Sequence, residues 1–218
     1  MAAVQTNRVA MKLNNFGFGL HELVIEETQG NAVFSPFSIY TVLAMLCVGA
    51  KGKTREEIAE VLKSNEQDLT KLLEQLKQMY YSLLNQSKAK FDIANKAWVG
   101  ENMALSQSYK NKITRYLDAD ISNIDFSKPE QARTEINNWV AGKTDNKIKD
   151  LFPPGSITAN AALVLANALY FKGEWEKKFN KDDTDKYDFH ITMGNTVKAD
   201  FMYAKDKFAR AKDDDHKI

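Results

Sequence analysis

Residues 163–173 read LVLANALYFKG. From Leu163 to Phe171 the single residue that is not apolar is Asn167, set in the middle of the run. A strand with one wet face alternates apolar and polar residues, and a surface helix carries a polar stripe at its 3.6-residue period. This stretch does neither. It needs cover on every side, and the rest of the chain must supply that cover.

Working outward from the run, the upstream chain is mostly helical. Val9, Leu13, Phe16, Leu20, Leu23 and Val24 recur at helical spacing and predict a helix over 6–27, ended by Gly30-Asn31. Ser35 can cap a second helix with Pro36 in its first turn, where a missing N–H costs nothing. That helix reaches Gly49 and is apolar nearly all round, which places it inside the protein. Thr54 and Glu57 have capping-box spacing for a third helix through Leu62. Leu69, Leu72, Leu73, Leu76, Met79, Tyr80 and Leu83 mark a fourth. The period then changes: Phe91, Ile93, Asn95, Ala97 and Val99 alternate as a strand does. A helix over 107–118, a strand over 121–126 and a helix over 128–142, with Ile136, Trp139 and Val140 inward, complete this part. The turn Pro153-Pro154-Gly155 precedes the opening run. Strands at 186–192 and 196–203 follow it, joined by the hairpin turn Met193-Gly194-Asn195. A last strand is expected over 207–212. Helices gather early and strands late, the pattern of an α+β fold.

The totals exclude several classes. In 218 residues, 30 basic and 29 acidic side chains leave a net charge of +1, so nothing draws the chain globally to nucleic acid or an anionic membrane. The longest apolar stretch, roughly 39–50, is too short to span a bilayer. The N-terminal residues lack the continuous apolar core of a signal peptide. With one cysteine, Cys47, there is no internal disulfide framework.

Motifs for chemistry are absent. Gly52-Lys53-Thr54 invites a phosphate-loop reading, but the motif wants a glycine five residues before Gly52, where Cys47 stands, and a strand where a helix is expected. His21, His190 and His216 fall in no ligand pattern, and Asp213-Asp214-Asp215-His216 reads as a solvated turn, so no metal is expected. Cys47 has no adjacent base in sequence to activate it and reads as a core residue. No catalytic residue and no cofactor site is assigned. Asn85-Gln86-Ser87 is a glycosylation sequon, a pattern that also arises by chance. Lys71, Lys77, Lys88 and Lys90 give the fourth helix a basic tint that Glu74 and Gln75 dilute. A solvated face is the reading taken, with polyanion binding as a lesser alternative.

Several collinear segments resemble the serpin family. They are Asn31–Ile39 (NAVFSPFSI), Leu46–Thr54 (LCVGAKGKT), Phe91–Trp98 (FDIANKAW) and Ile136–Val140 with Thr144, Lys147 and Ile148. The most specific is Leu165–Trp175 (LANALYFKGEW) followed by Phe179. The resemblance implies N-terminal helices packed on a large mixed sheet A, with parts of sheets B and C. It makes 1–218 a single domain that stops before the reactive centre loop, so no reactive-site bond is expected in it. It also accounts for the opening run as a central strand of a five-stranded sheet, covered by helices behind and a crossing helix in front. Asn167 would join Ser35, Pro36 and Ser38 in the region where the sheet parts. An unpartnered buried asparagine costs about 1–3 kcal/mol, so bonds to those serines are expected. Trp175 would mark the top of the sheet, where a loop enters.

By the same resemblance, the implied activity is inhibition of a serine endopeptidase, with a cysteine protease as the alternative target, by loop cleavage and insertion. The partner is then a protease, neither nucleic acid nor membrane, and the chain itself is no enzyme. A non-inhibitory binding, storage or chaperone-like protein of the same fold, or an inactive fragment, is the alternative. An extracellular location is implied by the family, with a cytoplasmic one as the alternative because no signal peptide is visible. Made alone, the chain is expected to self-associate through its unpaired apolar strand.

Overall fold

The computed structural model describes residues 2–28, 31–65, 68–85 and 89–205. The expected strand at 207–212 and part of the sequon lie outside them. Two compact units are present, 1–173 and 174–218.

In the first unit, α1 (Ala2–Glu27) lays Val9, Leu13 and Phe16 on the core. Leu23 does not join them; it is one position round from the stripe that ends in Val24 and is exposed. Helix α2 (Pro36–Gly49) is the buried helix its composition demands. Ser35 caps it, its Oγ accepting from Ser38 N at 3.3 Å, with Pro36 in the first turn. Phe37, Tyr40, Ala44, Met45 and Cys47 are buried, and the Tyr40 hydroxyl donates to Leu62 O at 2.7 Å. Helix α3 (Gly52–Val61) starts two residues before the expected Thr54 cap. Gly52 takes φ +54°, a left-handed turn open to glycine, so the helix opens there and Thr54 falls inside the first turn. Glu57 pairs with Lys53 at 3.6 Å instead of closing a capping box.

Helix α4 (Leu69–Leu84) turns Leu69, Leu72, Leu73 and Leu76 inward. Then come β1 (Ala89–Gly100), α5 (Gln107–Leu117), β2 (Ala119–Ile124), α6 (Pro129–Lys143) and β3 (Leu163–Gly173), which contains the opening run. The sheet order is β2-β1-β3, with β1 parallel to β2 and antiparallel to β3. The central strand is therefore β1, and among the described residues β3 is an edge strand in a three-stranded sheet. This differs from the expected central place in five strands, because no described strand pairs with the outer side of β3.

Two cores sandwich the sheet. On one face Ile93 and Ala97 of β1, with Leu163, Leu165 and Leu169 of β3, pack on α1, α2, α4 and α5. On the other, Trp98, Val164 and Ala166 pack on Ile136 and Trp139 of α6 and on Phe152 and Ile157 of the connection that follows it. Trp98 meets Trp139 edge to face, centroids 5.2 Å apart, and donates to Glu135 Oε1 at 3.1 Å. Cover on both faces is the physical reason for the unbroken apolar run. It fades at the strand's end, where Phe171 is 57% exposed.

Glu130 ties α6 to the following turn, accepting from Arg133 Nε at 2.8 Å and from Gly155 N at 3.1 Å. The Arg133 bond, then that of Gly155, holds its carboxyl below the usual glutamate range. A carboxyl depressed in the fold adds stability above its unfolded pKa and loses it as pH falls through the folded one. Glu130→Gln is accordingly expected to lower the urea midpoint at pH 7, with the gap from wild type closing as pH drops below the ordinary carboxylate range. A gap that persists at pH 2 would contradict the role of the charge.

In the second unit, β4 (Thr184–Thr192) and β5 (Asn195–Met202) form the expected hairpin, turning through Gly194 at φ +95°. It is the one sheet of that unit among the described residues.

Candidate sheet-opening site

The sequence reading singled out Ser35, Pro36, Ser38 and Asn167. Ser35 and Ser38 are together: the Ser38 hydroxyl donates to Ser35 Oγ at 3.0 Å, and both are half-buried at the head of α2. Helix α2 packs on the face of β3 that carries Asn167. The expected hydrogen bonds from Asn167 to the serines are not formed among the described residues. Asn167 Nδ2 donates instead to Asn95 Oδ1 at 2.8 Å, and Asn95 Nδ2 donates to Leu117 O at 2.7 Å. The register explains this partner: Asn95 sits directly opposite Asn167 on the antiparallel neighbour, and both point to the helical face.

Asn95 is the residue that sequence reasoning missed. It is 3% exposed and occupies an inward position among Phe91, Ile93, Ala97 and Val99. A polar side chain at the parity of a buried apolar set was the available signal. The pair leaves one atom over, since Asn167 Oδ1 is buried and accepts no hydrogen bond among the described residues.

The backbone of β3 has a polarity of its own. Gly100 N donates to Ala162 O at 2.9 Å, which makes this a hydrogen-bonded pair of the antiparallel ladder. Alternation along the strand then turns the N–H and C=O groups of Val164, Ala166, Ala168 and Tyr170 toward β1. Those of Leu163, Leu165, Asn167 and Leu169 face the open edge. The site is thus a strand covered on both faces whose outer side, among the described residues, presents donors and acceptors without a strand partner, beginning beside the serine-capped helix.

Trp175 lies beyond β3, is 72% exposed, and meets Phe179 edge to face with centroids 6.3 Å apart. Asn85 is exposed at the end of α4, a position a glycan can reach. Cys47 is buried and its thiol is pushed up, chiefly by burial, the opposite of an activated nucleophile. Among the described residues no group of His, Cys, Asp or Glu side chains could hold a metal ion, and no helix is long and apolar enough to cross a membrane.

This arrangement of three strands between two helical layers has known counterparts. The sequence model of the Serpin (serine protease inhibitor) family matches residues 11–218. An uncharacterized serpin-like protein of Methanosarcina acetivorans is 34% identical, over 92% of this chain and 48% of its own length. Human Serpin I2 is also 34% identical, over 89% of this chain and 48% of its own. Among solved structures, Arabidopsis AtSerpin1 in its native stressed conformation superposes with a TM-score of 0.84 at 29% identity, covering 96% of this chain and 55% of that one. The chain belongs to the serpin family. It spans about half the length of the curated relatives it matches.

Proposed function

We propose that the protein to which this chain belongs inhibits a serine endopeptidase by accepting its own cleaved reactive loop as a new strand beside β3. The observation that carries this reading is the open edge of β3: a strand covered on both faces, with outward donors and acceptors at Leu163, Leu165, Asn167 and Leu169. An incoming extended segment satisfies those groups and gains a register, a mode of strand addition for which serpins are themselves a known example. The orphan Oδ1 of Asn167 offers an acceptor at the middle of that strand. The solved structure of Manduca sexta Serine protease inhibitor (Serpin)-12, 31% identical with a TM-score of 0.82, supports the same assignment.

In this scheme the catalytic serine belongs to the protease. It attacks the scissile carbonyl, the amine of the next residue leaves, and the ester is trapped when the loop enters the sheet. This chain supplies the receiving strand and the two layers that keep it flat. Residues 1–218 act as part of one domain, with Ser35, Ser38 and Asn167 near the parting and Trp175 near the point of entry.

The test is to mix the intact protein with trypsin-like, chymotrypsin-like and elastase-like serine proteases. A covalent complex that survives SDS is the expected result. A loop that is cut cleanly, with no complex and no gain in thermal stability, would leave a non-inhibitory member of the fold.

A further inference from the structure

A cleft of about 750 Å³ lies where the end of α2, the start of α3, the first two turns of α5 and the start of β3 come together. Leu46, Val48, Leu105 and Leu163 give it an apolar wall. Lys51, Arg55 and Lys112 also line it, and no aspartate or glutamate does. Neither lysine belongs to an ion pair among the described residues. Three cationic side chains beside an apolar wall, two of them lysines without an ion pair among the described residues and none with an acidic neighbour in the lining, favour an anion that carries an apolar body.

Two further features point the same way. Tyr109, in the first turn of α5, lines the cleft, is 7% exposed, and its buried hydroxyl has no hydrogen-bond partner among the described residues. Its ring lies against Gly49, where a β-carbon would come within 3.0 Å of ring Cε2, so glycine is what permits that approach. Burial pushes this phenol up to about 12, so at neutral pH it is a proton donor lacking an acceptor. Helix α5 also begins here. Ser106 Oγ takes the N–H of Tyr109 at 3.2 Å, while the N–H groups of Gln107 and Ser108 have no acceptor inside the helix. Such a terminus favours negative charge.

We propose that this cleft is a binding site for a small amphipathic carboxylate, with Lys51, Lys112 and the α5 terminus facing the carboxylate and the leucine wall taking its alkyl or aryl body. The hydroxyl of Tyr109 is the added donor at the wall. Inorganic phosphate would meet the charges and leave the wall unused; a neutral lipid would leave Lys51 and Lys112 without a counter-charge.

The experiment titrates octanoate into the intact protein by calorimetry and thermal unfolding, with inorganic phosphate in parallel. Octanoate is expected to bind and raise the melting temperature, and phosphate at equal concentration to do neither. Lys112→Ala should weaken octanoate about tenfold, the loss of one charge-assisted contact. Lys112→Gln serves if the alanine variant unfolds. Tyr109→Phe should raise the melting temperature of the empty protein, because it deletes an unsatisfied buried hydroxyl, and yet weaken octanoate. A merely structural tyrosine would not separate those two readouts. The proposal is overturned if octanoate does not bind, if both Lys112 variants bind it as wild type does, or if phosphate binds equally well.

Discussion

Replacing Asn95 by alanine is expected to lower the stability of the intact protein by roughly 3 kcal/mol. The truncation strands two groups at once, the buried Leu117 O at the end of α5 and the half-buried Nδ2 of Asn167, and a buried polar group costs about 1–3 kcal/mol when left without a partner. It also opens a small void between β1 and the helical layer. Asn167→Ala removes one bond and takes the orphan Oδ1 away with it, so its cost should be clearly smaller. Urea unfolding of both single variants and the double variant closes a mutant cycle. The coupling between the two sites should be distinct from zero, since each lies on one chain of hydrogen bonds. An Asn95→Ala cost below about 1 kcal/mol would mean that water replaces the side chain and the bridge is unimportant.

If the sheet accepts a strand as proposed, that chain of bonds bears on where it opens. It joins α5 to β1 and β1 to β3, on the side of β3 away from its open edge. The inner side of the strand holds through a full ladder, a half-buried amide pair and two cores, so in the proposed insertion rearrangement falls to the outer side. Ser35 and Ser38 then serve α2 first, as its cap, and touch the strand through that helix's packing rather than through a bond to Asn167.

The sequence already carried the helices and the two-sided burial, because periodicity and its absence are local signals. The all-apolar α2 and the unalternating β3 could each be read without knowing what they touch. Partners across the sheet were another matter. Asn95 and Asn167 are 72 residues apart in the chain, and only register sets them opposite each other. The start of α3 was misplaced because a capping box at Thr54 competes with a glycine two residues earlier, and the left-handed turn at Gly52 prevailed. At the site, the cap at Ser35 was legible from one dipeptide, while the bond expected from Asn167 to the serines was formed with Asn95 instead.

A polypeptide of residues 1–218 made alone is expected to self-associate through the outer edge of β3. From Leu163 to Phe171 that edge carries no charge and no proline, the features that usually keep an edge strand from pairing with another chain. Amide exchange read residue by residue tests more than the existence of association. In a monomer the amides of Val164, Ala166, Ala168 and Tyr170 are bonded to β1 and should exchange slowly, while those of Leu165, Asn167 and Leu169 point outward and should exchange fast. In the associated form both sets become slow, and the alternation vanishes. Phe171 offers a way to break the contact without entering the core, since it is 57% exposed and its amide faces outward by the same alternation. Phe171→Lys places a charge on the edge at the cost of the ring pair with Phe91, whose centroids are 4.8 Å apart. Size-exclusion chromatography should then show the wild-type chain as dimers or larger and the lysine variant shifted toward monomer. A wild-type chain that elutes as a monodisperse monomer, with slow exchange at Leu165, Asn167 and Leu169, would show that the edge is already paired within the chain.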